Sequence, residues 1–120
     1  MSAIPPLAAN HVPILAGTDA GNPGTAPGIS LHGELEYLVK TGLTPERALA
    51  AATSVSASVF HLTDRGRIAP GMRADLVLLA ADPTADIFAT REILQVWKAG
   101  IPVDRERWRQ DLHSSASSPP

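Results

Sequence analysis

The chain contains no cysteine. Disulfides, thiolate zinc sites and cysteine nucleophiles are thereby excluded, while either redox environment stays compatible with such a chain. Aromatic residues are 4% of the 120 residues, and alanine supplies much of the 44% apolar share. Small side chains bury little area each, which predicts a core of modest stability. Charged residues total only 18%, with a net charge of −2 and lysines and arginines scattered along the chain. With no basic stripe, no nucleic-acid partner is expected. The longest apolar runs, around residues 49–52 and 76–81, fall far short of the ~20 residues that span a bilayer. No membrane partner is expected. The first seven residues lack the basic and apolar regions of a signal peptide, so the expected location is cytoplasmic.

The patterning that is present divides the chain in three. Residues 1–64 read as a strand followed by helices, 65–104 as short strands, and 105–120 as a tail whose Ser- and Pro-rich end is expected to be disordered. Pro5-Pro6 predicts that no regular helix forms there, leaving 7–10 as at most a last helical turn. Residues 12–16 are a short apolar run closed by Gly17-Thr18-Asp19-Ala20-Gly21-Asn22-Pro23-Gly24, which reads as a buried strand running into a long loop. Leu31, Leu35, Leu38 and Val39 fall on one helical face. That helix spans 30–41, with Ser30 as N-cap, Glu36 and Lys40 as an i, i+4 pair and Gly42 as stop. Thr44-Pro45-Glu46 opens a second helix to about Ala52, and Ser54 caps a third over 55–60. Gly66, Pro70-Gly71 and Asp82-Pro83 then punctuate β-like runs at 67–68, 75–80 and 93–98, and Ala99-Gly100 turns into 101–103.

Among groups able to do chemistry, Asp19 stands out, because it ends an apolar strand at the start of a Gly/Asn/Pro loop. Two readings are open on pattern alone: a functional carboxylate, or a turn residue hydrogen-bonding its own loop. Asn22, Gly21 and Gly24 are either a flexible pocket rim or a plain connection. The histidines at 11, 32, 61 and 113 show neither His-x-His nor i, i+4 spacing. His32 is the one placed near Asp19, with a helix-start role as its plainer reading. His11 belongs at the opposite strand end, and His61 at a surface or interdomain contact. Asp75 and Asp82 read as turn-fixing residues, and Trp97 and Trp108 as packing residues. The glycines at 17, 21, 24 and 28 match neither phosphate-loop pattern.

The order of the motifs carries more than any one of them. Pro13-Ile14-Leu15-Ala16-Gly17-Thr18-Asp19-Ala20 comes first, then Gly42-Leu43-Thr44-Pro45-Glu46-Arg47-Ala48-Leu49. Asp64-Arg65-Gly66-Arg67-Ile68-Ala69-Pro70-Gly71-Met72-Arg73-Ala74-Asp75-Leu76-Val77 follows, and Val96-Trp97-Lys98-Ala99-Gly100 closes the series. Over about residues 12–103 this resembles the C-terminal end of the amidohydrolase superfamily, in particular its imidazolonepropionase- and prolidase-like members. The resemblance implies an α+β chain: the last β/α element of a TIM-like barrel, then C-terminal strands of a small β-sandwich. It implies hydrolysis of carbon–nitrogen bonds in a small-molecule amide, cyclic amide or prolyl dipeptide. The implied cofactor is a divalent metal, zinc first. Asp19 takes the place of the family's metal-binding and proton-transferring carboxylate. The family's His-x-His pair, its bridging Lys or Glu and two further histidines have no counterpart here. The expectation is therefore an incomplete C-terminal portion, inactive alone. The alternatives are a subunit of a split enzyme completed by a second chain, or a homo-oligomerising interaction module.

Overall fold

The computed structural model of the chain describes residues 4–116. It is a small α+β structure. Helix α1 (Ile4–Ala9) is followed by an extended segment and a loop, then by α2 (Ile29–Lys40), α3 (Pro45–Ala52) and α4 (Ser54–Val59). Strand β1 (Leu76–Leu79), a 3₁₀ helix (Ile87–Arg91), β2 (Ile93–Lys98), β3 (Ile101–Pro102) and α5 (Arg105–Ala116) complete it.

The helices follow their patterns closely. Leu35 and Leu38 of α2 are buried, with Leu31 and Val39 packed beside them. Helix α3 starts as expected: the Thr44 hydroxyl accepts from the Arg47 amide at 3.3 Å, and Pro45 takes the first turn, where no amide partner is lost. Ser30 is not the cap of α2. Gly28 occupies that position, and the Ser30 hydroxyl, already inside the first turn, accepts from the Ala26 amide. Thr53 stands ahead of α4, and Ser54 is its first residue. Glu36 pairs with Arg91 of the 3₁₀ helix rather than with Lys40, because a guanidinium fork meets a carboxylate with directed N–H groups. Pro5 and Pro6 lie inside α1, since both sit in the first turn, where amide hydrogens have no intrahelical acceptor anyway.

Leu35, Leu38, Leu43, Ala48, Ala51 and Ile87 form the core, against which Ile4, Ala8, Ile14, Ala16 and Leu49 pack. Ala48 and Ala51, at 0% and 1% exposure, are the most deeply buried members. Their small size lets α3 approach α2 closely. Gly66 makes a second close approach: a Cβ there would lie 2.5 Å from the Ala57 Cβ and 3.0 Å from the Thr53 carbonyl oxygen.

The sheet is antiparallel in the order β1-β2-β3, with Leu76 opposite Trp97, Val77 opposite Val96, and an irregularity between Leu78 and Leu79. Ala99 and Gly100, with φ of 51° and 81°, form the tight turn expected between β2 and β3. Asp75 fixes this turn rather than the one at Pro70-Gly71. Its carboxylate accepts from the Ala99 amide at 2.7 Å and from Lys98 Nζ at 3.3 Å, and pairs with Arg73 at 3.0 Å. Asp82 is the turn residue its sequence suggested, accepting from the Thr84 amide and hydroxyl.

Three β or tail expectations are corrected. Residues 12–16 are extended but join no ladder; two backbone bonds tie the run to the helices, the Val12 amide donating to the Leu7 carbonyl of α1 and the Ala16 amide to the Ala51 carbonyl of α3, each at 3.1 Å. Residues 67–68 form no strand, and Ile68 is 88% exposed. A strand exists only when a neighbour completes its hydrogen bonds, and among the described residues neither run has one. Residues 113–116 continue helix α5, and the expected disorder at 117–120 lies outside the described residues. Trp97 is half-buried in the sheet, whereas Trp108 is 63% exposed and does not serve as a packing residue. No helix among the described residues is long and apolar enough to cross a membrane.

Candidate active site

Asp19 lies just beyond the extended segment, in the loop that leads to α2, and is exposed. Its backbone is left-handed, with φ of 48°. The Asn22 side-chain amide donates to Asp19 Oδ2 and, at 3.2 Å, to the Asp19 carbonyl. The Thr25 hydroxyl reaches the same carbonyl at 3.1 Å, and the Asn22 amide N–H at 3.4 Å. The loop is therefore hydrogen-bonded into one shape, not the loose rim its glycines suggested. The turn reading of Asp19 is met, since its carbonyl anchors the loop, and its Oδ1 has no partner among the described residues. Asn22 was read only as part of the rim, and Thr25 was missed as a contributor. The available signal was an amide three residues and a hydroxyl six residues after the carboxylate.

His32 sits in the first turns of α2, half-buried. Its Nδ1 lies 3.1 Å from Thr90 Oγ1, and the Thr90 hydroxyl proton goes to the Ile87 carbonyl at 2.9 Å. Nδ1–H of His32 is then the donor, which assigns the tautomer from the network. Burial, and then the nearby Arg91 cation, hold the His32 pKa below its ordinary value against the opposing pull of Glu36. His32 thus joins α2 to the 3₁₀ helix, the plainer of its two readings. His11 and His61 are exposed, each with positive φ just past a helix end. His113 lies in α5.

A metal ion needs converging donors, three from the protein in a typical catalytic zinc site. No group of three or more His, Asp or Glu side chains among the described residues could hold one. Asp19 has an amide as its side-chain neighbour, and His32 has Nδ1 engaged with Thr90. The residues present do not fit a metal centre by themselves; they offer it one carboxylate.

The model of the amidohydrolase family matches residues 1–103. The imidazolonepropionase of Deinococcus deserti is 39% identical over 94 residues, covering 75% of this chain and 23% of that enzyme. A candidate prolidase from Bifidobacterium longum superposes with a TM-score of 0.80 at 31% identity, over 98% of this chain and 30% of its own length. A Xaa-Pro dipeptidase with methionine bound in its active site gives 0.73 at 28% identity, over 83% of this chain and 24% of its own. The chain spans about a quarter of the curated relatives it matches. It belongs to the amidohydrolase family.

Proposed function

We propose that this chain forms the closing part of a carbon–nitrogen hydrolase and contributes Asp19 to its active site. In this reading residues 1–64 are the last strand and helices of a TIM-like barrel, and residues 65–104 are strands of a small β-sandwich. The observation that carries it is the placement of Asp19. It is an exposed carboxylate with one free oxygen at the end of an extended apolar segment, in a chain of the amidohydrolase family. Ends of barrel strands are where such enzymes keep their reacting groups. A carboxylate there accepts a proton from the attacking water and delivers one to the departing nitrogen. The substrate class is a small amide, cyclic amide or prolyl dipeptide. The chemistry a divalent ion, zinc first, supplies when bound is activation of water and polarisation of the carbonyl. Its other ligands lie outside the described residues.

The test compares the 120-residue chain alone with the chain mixed with an amidohydrolase segment carrying a His-x-His strand. Both are assayed with Zn²⁺ or Mn²⁺ on cyclic amides and prolyl dipeptides. Turnover is expected only in the mixture, and Asp19→Ala should lower it by about 10²–10⁴-fold, the usual weight of a general acid–base group. Metal-dependent turnover by the chain alone that disappears in Asp19→Ala would show that it holds a complete site and sink this reading.

The exposed apolar surface favours completion by further chain. Ile68, Ile101 and Val77 are 88%, 69% and 56% exposed, apolar side chains that further chain could cover. We propose a polypeptide partner supplying barrel strands; a stable monomer by light scattering, unchanged by that segment, would argue against it.

A further inference from the structure

We infer that Asn22 is a positioning residue that holds the Asp19 carboxylate in one orientation, while Thr25 holds the Asp19 backbone; the functional weight of this rests on the role proposed above for Asp19. Among the described residues, four non-glycine residues have positive φ: His11, Asp19, His61 and Ala99. His11 and His61 follow helices α1 and α4 closely, and Ala99 lies in the β2–β3 turn. Left-handed residues are ordinary at such places. Asp19 ends no helix and closes no hairpin. Aspartate visits this region more readily than most residues, and it is held there when its surroundings hydrogen-bond it in place.

Here the surroundings do so. Three donors converge on the Asp19 carbonyl, namely the Asn22 amide, Asn22 Nδ2 and the Thr25 hydroxyl, and Asn22 Nδ2 also donates to Oδ2. The two hydrogens of one NH₂ group thus tie the backbone and the carboxylate of Asp19 together. Serine has one proton to give and aspartate none, so neither replaces asparagine. Thr25 is itself fixed, its amide donating to the Asn22 carbonyl at 3.1 Å and its hydroxyl sharing one proton between that carbonyl and the Asp19 carbonyl. With Oδ2 taken, Oδ1 is the oxygen offered outward.

The test is NMR on the full chain, reading the Asp19 Hα–Hβ couplings, which separate one staggered rotamer from an average over three. Wild type should show one rotamer. Asn22→Ala and Asn22→Asp should both average, while Thr25→Val should keep the rotamer and shift only the Asp19 backbone resonances. The loop is exposed, so these variants should retain the wild-type circular dichroism. Averaged couplings in wild type, or unchanged couplings in Asn22→Ala, overturn the inference. The Asp19→Ala assay above fails or succeeds independently, because it reads hydrolysis and not geometry.

Discussion

A single imidazole gives the clearest pH dependence. His32 ionises near pH 6.5 when unfolded, and burial and Arg91 lower its pKa in the fold. The folded chain therefore binds fewer protons around this pH. The resulting stability is complete above the unfolded pKa, falls as pH drops below it, and stops changing below the folded pKa. The melting temperature should fall between about pH 7.5 and about pH 5.5, and less steeply in His32→Gln. Equal slopes in the two proteins would show that His32 does not titrate against Arg91. Asp75 has the opposite charge and the same sign of shift. The Ala99 amide, then Lys98 and Arg73, hold its pKa below the ordinary carboxylate value. Its contribution is lost as pH falls through that lowered pKa, and Asp75→Asn should lower thermal stability at neutral pH more than Asp64→Asn. Asp64 pairs with its exposed neighbour Arg65 and ties down no turn. The position of Asp19 was legible in the sequence, because a carboxylate after an apolar run is a local signal. Its partners were not, since a glycine-rich loop reads as open until its hydrogen bonds are drawn.

At the level of elements, helices were more legible than strands. Apolar spacing and a Thr-Pro start are properties of one segment, so α2 and α3 lie where the pattern put them. Thr44→Ala should cost about 1 kcal/mol in denaturant unfolding, as loss of an N-cap does. Strands are properties of pairs. Residues 75–80 and 93–98 had each other and formed β1 and β2, while 12–16 and 67–68 had no partner among the described residues. The Pro5-Pro6 error came from treating proline as a breaker without regard to its place in the first turn. One loop-to-helix contact is unusually exacting. Gly66→Ala would set a Cβ against Ala57 in a backbone with φ of 91°. The expected loss is about 3 kcal/mol, combining overpacking with a left-handed penalty. A change under about 0.5 kcal/mol, the range of an inert surface site, would mean the loop moves aside freely.

Over the whole molecule, the small core sets the scale. Leu38 is 3% exposed at its centre, and Leu38→Ala should cost about 2–5 kcal/mol. Against a core of so few buried residues, that is enough to unfold much of the chain at 37 °C, measurable as loss of helical circular dichroism. The family could be read because motifs from Asp19 to Gly100 occur in a fixed order along one chain. A metal centre could not, because it needs donors that converge, none do among the described residues, and this chain spans about a quarter of its relatives' length.

The extended segment before Asp19 is attached to α3 at one amide, Ala16 to Ala51. In deuterium oxide, Ala16 should keep its proton longest, while the amides of Ile14, Leu15 and Thr18 exchange almost as fast as in a peptide. Whatever chain comes to lie beside them would slow that exchange. The three amides would then serve as a built-in gauge of assembly, responding before any catalysis is measurable.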